Sequence, residues 1–186
     1  MIRLEGVHVI LRTPEDADYA ALLALRTDPE VNRYTSEPNT DPEAFVRGLI
    51  NEMQAKQPGE AGPSGGWYQY VIEERASGSL IGDFGANIGG PGPRQAEIGY
   101  RLAPAAQGRG RATEGLRVLL AHLFDDLALH RVIALAAVAN APSWRLLERV
   151  GFRREGAFRQ SFWKDGRWLD DYYYALLAEE WRGSVE

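Results

Sequence analysis

Apolar residues recur along this chain at two rhythms, and the alternation between them predicts the elements. VHVILR (7–12) is rich in β-branched residues and reads as a strand. TPEDADYAALLALR follows, with Thr13 placed to cap a helix and Pro14 at its first position. Acidic residues in that first turn suit the helix dipole. A second helix is expected at DPEAFVRGLINEMQ (41–54), where Phe45, Val46, Leu49, Ile50 and Met53 form one apolar stripe. Between the two lies VNRYTSEPNT (31–40), polar with a single aromatic, Tyr34. KQPGEAGPSGG (56–66) is a loop by its Gly and Pro content, and its position suits closure over a substrate. WYQYVIEE (67–74), LIGDFGANI (80–88) and RQAEIGYRL (94–102) read as strands joined by short turns, which favours an antiparallel meander.

The second half alternates helix and strand. Leu116, Leu119, Leu120, Leu123 and Leu127 recur at three and four, so a helix over 112–127 buries one face. HRVIALAAVA (130–139) is continuously apolar, as befits a strand covered on both sides. APSWRLLERV (141–150) is a short helix with Gly151 just past its end. FRREGAFRQSFW (152–163) and RWLDDYYYALL (167–177) form a closing hairpin around KDG. The result is an α/β (α+β) fold, with a mixed, mostly antiparallel sheet of about seven strands flanked by helices. Its crossover from strand 94–102 through helix 112–127 to strand 131–139 implies one parallel pair. Ligands in such sheets bind beyond the carboxyl ends of the parallel strands.

Composition narrows the function. A chain of 186 residues with 45% hydrophobic content fits one domain with a substantial core. The net charge of −5 argues against a nucleic-acid partner but leaves room for a local anion pocket. The chain has no cysteine, which removes disulfides, thiolate metal sites and cysteine nucleophiles. His8, His122 and His130 lack metal-ligand spacing, so no metal is expected. The first residues lack a signal-peptide apolar core, and the longest apolar run, Val132 to Ala139, is too short to cross a bilayer. A cytoplasmic protein without a membrane partner is the expectation, and a homodimer is compatible with it.

One stretch concentrates glycine and positive charge at a helix entrance: QGRGRA (107–112). A helix N-terminus offers unpaired N–H groups and partial positive charge, and adjacent glycines let an anion approach the backbone. Phosphate binding suits such a place, with Arg109 and Arg111 adding charge. Two phosphate motifs fit poorly. No Lys follows the glycines as a P-loop requires, and Thr113 stands where a dinucleotide fingerprint has its third glycine. By local chemistry alone, an ordinary loop and helix cap explains the stretch equally well.

The wider pattern resembles the GNAT superfamily of acyl-CoA-dependent N-acetyltransferases. Gln107, Gly110 and Ala112 occupy the defined positions of its Q/R-x-x-G-x-G/A signature. AEIGYRLAPAAQGRG is similar to the strand leading into that motif, and VANAPSWRLLERVGFRREG to the second half of the fold. The ending DDYYYALLAEEW resembles the branch of ribosomal-protein-alanine N-acetyltransferases. The resemblance spans nearly the whole chain and implies one N-acetyltransferase domain over 1–186.

What the resemblance implies can be placed on residues. Acetyl-CoA is the co-substrate, and backbone amides of Gln107, Gly108, Arg109, Gly110, Arg111, Ala112 and Thr113 hold its pyrophosphate. The strand end at Leu102 pairs with the pantetheine arm, Asn140 lies beside that arm, and Ser143 lies near the thioester sulfur. Glu97 is the candidate general base, acting through a water, and Ser143 the candidate proton donor. A peptide α-amine, with a pKa of about 8, is roughly one-tenth neutral at pH 7, whereas a lysine amine is neutral in fewer than about one molecule in a thousand. An α-amine therefore asks less of the base. Many relatives carry an acidic Tyr in the helix before GF. This chain has Leu147 in that stretch, which leaves Ser143, Tyr172, Tyr173, Tyr174 or no residue for the role.

The acceptor is expected between the loop after the first helix and the final hairpin. Tyr34, Trp67, Tyr68, Phe162, Trp163 and Asp171 are the candidates to line its site, and acidic Glu97 and Asp171 would attract a cationic amine. The function so implied is acetyl transfer to a protein N-terminal or small-molecule amine. A non-catalytic acyl-CoA-binding module and a nucleotide-phosphate binder are the alternatives.

Overall fold

A computed structural model describes residues 1–35, 41–56, 66–89 and 91–183. The strands are β1 (Arg3–Glu5), β2 (Val9–Arg12), β3 (Gly66–Glu74), β4 (Ser79–Ile88), β5 (Gln95–Leu102), β6 (Arg131–Ala137), β7 (Arg153–Lys164) and β8 (Arg167–Leu177). The helices are α1 (Tyr19–Thr27), α2 (Pro42–Ala55), α3 (Arg111–Ala121), α4 (Ala141–Arg149) and α5 (Ala178–Gly183). The strands form one sheet in the order β1-β2-β3-β4-β5-β6-β8-β7. Every neighbouring pair is antiparallel except β5 and β6, which the α3 crossover makes parallel. The mixed sheet agrees with the sequence pattern, with eight strands among the described residues where about seven were expected. The additional β1 is three residues long with one apolar side chain, so no periodicity marks it. Its pairing with β2 creates it.

Two helix boundaries also differ from expectation. Thr13 does not cap α1. Its Oγ1 accepts from the Ile2 N–H at 2.9 Å, across the β1–β2 pair. The chain instead passes through a 3-10 turn at Asp16–Asp18 before α1 begins. Asp18 is held there by Arg12, whose Nη1 and Nη2 donate to its carboxylate at 2.7 and 2.8 Å. At the other expected long helix, α3 ends at Ala121 and a wider π turn carries His122–Asp126. Among the described residues, no helix is long and apolar enough to cross a membrane. The expected lid at 56–66 lies almost wholly outside the described residues.

The sheet buries both faces unequally, because strand side chains alternate. One face carries Tyr68, Tyr70, Phe84, Ala86, Ile98, Val132 and Ala134, packed against Leu116, Leu119 and Leu120 of α3 and Leu146 and Leu147 of α4. Gly115 lets α3 lie close, since a Cβ there would stand 2.9 Å from the Phe84 ring. The opposite face is covered only in part. Val71 packs there with Leu22 of α1 and Val46 and Ile50 of α2. The rest of that face stays open beneath α2.

A buried ion network fixes α1 and α2 over that second face. Asp83 of β4 is 0% exposed and Arg26 of α1 3%. Arg26 Nη2 donates to Asp83 Oδ2 at 2.6 Å, and its guanidinium lies 5.1 Å from the Phe45 ring centre of α2. Arg101, facing Asp83 across the β4–β5 ladder, sits 3.6 Å from Asp83 Oδ1 and donates through Nε to Asn32 Oδ1 at 3.3 Å. Removing the central carboxylate takes away the anion shared by the buried Arg26 and the cavity-lining Arg101. Asp83→Ala should lower the unfolding free energy by about 3–5 kcal/mol, measured by urea denaturation. A loss under about 1 kcal/mol would show that the network does not hold the helices.

Candidate active site

The parallel ladder between β5 and β6 is short. It runs from Gln95↔Arg131 to Ile98↔Ala134 and stops, although β5 continues to Leu102 and β6 to Ala137. Beyond Ile98 the two strands diverge. β5 keeps its β4 partner out to Gly82↔Leu102, so only its β6-facing edge opens. A cavity of about 880 Å3 occupies the divergence. That size lies toward the upper end for ligand sites, commonly about 300–1,000 Å3. Residues from both faces of the sheet line it. Tyr100, Ala136, Asn140 and Ser143 come from the α3/α4 side, and Trp67, Gln69, Glu97, Arg101, Leu135 and Asp171 from the α1/α2 side. The cavity therefore passes through the sheet at the split.

Two helix entrances follow the diverging strands. After β5, a 3-10 turn at Pro104–Ala106 leads into QGRGRA and α3. Gly108 and Gly110 take left-handed φ of 73° and 76°, which glycine adopts without strain. Gly110 is the N-cap, and it has no side chain to satisfy the first α3 amides. Arg109 stays exposed. Arg111 is partly committed, since its Nε donates to Glu74 Oε1 at 3.2 Å and ties α3 to the end of β3. Arg149 of α4 reaches the same loop at Thr113 Oγ1, 3.5 Å away. Gln107 turns back, its Nε2 donating to the Leu102 carbonyl at 3.2 Å. Leu102 itself packs against the core rather than lining the cavity. After β6, Asn140 is the N-cap of α4, yet its side chain makes no capping bond. It faces the cavity with that amide uncommitted among the described residues.

Ser143 is held by a residue that sequence reasoning passed over. Tyr100 OH lies 2.9 Å from Ser143 Oγ and 3.1 Å from the Ser143 carbonyl. A hydroxyl has one proton. When Tyr100 donates to the carbonyl, Ser143 can donate to Tyr100. When Tyr100 donates to Oγ, the Ser143 proton is free to point into the cavity. Burial pushes the Tyr100 phenol well above its ordinary range, against the opposing pull of the Ser143 bond, so it stays protonated at any working pH. The three alternative tyrosines do not line the cavity. Tyr174 is fully buried and donates to Glu148 Oε1 at 2.8 Å, Tyr172 packs on Trp144, and Tyr173 packs on Phe158 across the sheet.

Strand alternation sorts the remaining candidates. Glu97 lines the cavity from β5, and burial raises its carboxyl pKa. Asp171 of β8 lines it too, 7% exposed, with Oδ2 accepting from Ser161 Oγ at 2.9 Å. Burial raises the Asp171 pKa, the Ser161 bond opposes, and neighbouring Asp170 adds to the rise. Tyr34, Trp67 and Phe162 also line the cavity. Tyr68 and Trp163 do not, which corrects the sequence reading. Tyr68 is one residue from Trp67 and so faces the α3 core, with Lys56 Nζ 4.9 Å from its ring centre. Trp163 follows Phe162 and pairs edge-to-face with Trp168 on an exposed part of the hairpin. Glu52 and Phe45 of α2 complete the cavity roof, unflagged because the helix pattern marks both simply as surface and stripe.

The sheet split is thus lined from both faces, with a glycine-rich helix entrance on one side and carboxylates on the other. The chain matches the acetyltransferase (GNAT) domain family over residues 8–153. It is 31% identical over 173 residues to the uncharacterized N-acetyltransferase YnaD of Bacillus subtilis (strain 168), covering 93% of this chain and 95% of that one. It is 31% identical over 84 residues to the ribosomal protein uS5 alanine N-acetyltransferase of Escherichia coli (strain K12), covering 45% of this chain and 43% of that one. The structure of Mycobacterium smegmatis RimJ in complex with CoA-disulfide matches at a TM-score of 0.79 and 27% identity, covering 96% of this chain and 88% of that one. The chain belongs to the GNAT family and is an acetyl-CoA-dependent acyltransferase.

The raised Glu97 pKa has a consequence for stability. The folded state holds this proton more tightly than the unfolded chain does, so ionisation opposes folding. Relative to Glu97→Gln, wild-type stability should fall as pH rises from the unfolded value, about 4.3, through the higher folded value, and then level off. Melting temperatures of the two proteins should converge below about pH 4, with the variant higher at pH 7–8. A variant that melts lower at neutral pH would show that the ionised carboxylate is instead stabilised by its surroundings.

Proposed function

We propose that this protein acetylates a primary amine, borne by a protein N-terminus or a small molecule, with the amine entering from the α1/α2 face and acetyl-CoA from the α3/α4 face. One observation carries the reading: a single cavity runs through the β5–β6 split and is lined by side chains from both faces. The residues present fit the co-substrate. The left-handed Gly110 and the uncapped first turn of α3 suit a pyrophosphate, and Gln107 to Thr113 supply the amides. Arg109 and Arg149 supply positive charge beside it, with Arg111 shared with Glu74. The open β5 edge from Gly99 toward Leu102 suits an extended amide-bearing arm, and the free Asn140 amide suits one of its polar groups.

Acetyl-CoA, when bound, supplies a thioester whose carbonyl carbon accepts the amine. The chain's own groups manage the proton and the position. Glu97 takes the amine proton, directly or through a water, and its desolvation raises its basicity toward that task. Ser143, oriented by Tyr100, presents a hydroxyl proton toward the sulfur side of the gap. Trp67, Tyr34 and Phe162 wall the acceptor side, and Asp171 holds positive charge there.

Thiol release from acetyl-CoA, read against a panel of N-terminal peptides, polyamines and small amines, tests the reading. Glu97→Gln should lower kcat/KM at pH 7 by about 100-fold or more. The deficit should shrink as pH rises past the acceptor's own pKa, where neutral amine forms without a base. A deficit independent of pH would remove Glu97 from the role. Gly110→Val should cost the fold about 1–2 kcal/mol through the left-handed backbone. The folded variant should bind CoA at least ~30-fold more weakly in calorimetry, a loss of about 2 kcal/mol. Unchanged affinity would place the pyrophosphate elsewhere.

A further inference from the structure

Most of the described glycines have a local reason to be glycine. Gly78, Gly92, Gly108, Gly110, Gly151 and Gly166 take φ values that side chains resist. At Gly6, Gly82, Gly85 and Gly115 a Cβ would stand within 3.0 Å of another atom. Gly48, Gly66, Gly99, Gly156 and Gly183 have neither reason, and of these five only Gly48 and Gly99 line the cavity. Gly48 in the middle of α2 and Gly99 in β5 adopt ordinary φ, and a Cβ on either would meet no described atom within 4 Å. Both carry a cost. Glycine inside an exposed helix is about 1 kcal/mol worse than alanine, and glycine weakens a strand interior. Both line the cavity.

Their positions bracket the acceptor side. Gly99 is the first β5 residue past the last β5–β6 pair, two residues from Glu97 and on the same face. It lies directly beside Gly85 across the β4–β5 ladder, and Gly85 lies under the Trp67 ring. The sheet floor at the split is thus bare at Gly99 and is covered at Gly85 by the Trp67 ring. Gly48 is the α2 residue between the cavity-lining Phe45 and Glu52 and so leaves the roof bare as well.

We propose that Gly48 and Gly99 set acceptor specificity: together they keep open the passage between α2 and β5, so that an amine on a substituted carbon can reach the position beside Glu97. The proposal rests on the acetyltransferase reading above. An amine on an unbranched methylene chain has a smaller cross-section and does not need the space. Side chains at 48 and 99 would fill open volume rather than collide with protein, so they change what the cavity admits without disturbing what forms it.

The test compares Gly48→Ala, Gly48→Leu, Gly99→Ala and Gly99→Val with wild type. Thiol release is measured with two probe sets, tetrapeptides bearing an N-terminal alanine and unbranched primary amines such as butylamine and spermidine. Gly48→Ala should melt about 2–4 °C higher than wild type. Gly48→Leu and Gly99→Val should raise KM for the peptides at least ~10-fold, about 1.4 kcal/mol, while KM for the unbranched amines changes less than ~2-fold in both and KM for acetyl-CoA less than ~2-fold in Gly48→Leu. The alanine variants should show the same selectivity in smaller degree. Unchanged peptide KM in all four variants overturns the proposal, as does an equal loss on both probe sets or wild-type turnover of unbranched amines alone. A wild type that binds CoA in calorimetry but releases no thiol with any acceptor overturns the acetyltransferase reading, and the passage with it. Selective loss of peptide turnover supports both.

Discussion

The parallel pairing of β5 with β6 ends after four residue pairs, and the rest of the molecule is arranged around that interruption. A sheet interior normally satisfies every backbone group strand to strand. Here the edge of β5 that faces β6 is left without its ladder from Gly99 onward, while the β4 side remains paired. The protein tolerates this because the gap is a cavity open to solvent and ligand rather than a sealed core. The same interruption joins the two faces of the sheet, so groups that strand alternation keeps apart, such as Glu97 and Tyr100, line one space.

Stability and function are divided between the two faces. The α3/α4 face holds the larger core, with Phe84 and Phe124 fully buried. The α1/α2 face has a four-residue buried cluster and relies on the Arg26–Asp83–Arg101 network to seat its helices. That arrangement leaves room under α2 for an acceptor. It also places Arg101 in the cavity wall near the carboxylates Glu97 and Asp171, with Asp83 shared between Arg101 and Arg26. Desolvation raises the pKa of both carboxyls, which makes them stronger bases than exposed ones would be.

The sequence was most legible where a residue type has few uses. Glycines at 108 and 110 ahead of a leucine-periodic helix marked a place where an anion can approach the backbone, and both take left-handed φ there. Tyr100 was not legible, because a tyrosine in a strand is ordinary packing until its hydroxyl is seen 2.9 Å from Ser143 Oγ. Nor was Arg149, which lies 36 residues from the Thr113 it reaches. Tyr68 and Trp163 were misplaced by a single residue each. Period-two alternation assigns faces only once the register is known, and a one-residue step reverses the face.

The chain by itself determined the order of its elements, the parallel crossover, the family pattern around QGRGRA and the absence of thiol chemistry. Those are properties of spacing and residue type, which local sequence carries. The tertiary structure alone decided where β5 and β6 part, which hydroxyl holds Ser143, and that Asp83 sits between two arginines drawn from positions 57 and 18 residues away. It also decided that Gly48 and Gly99 share one cavity. Each of these is a contact between distant segments, set by how two elements pack, and no periodicity within either segment encodes it.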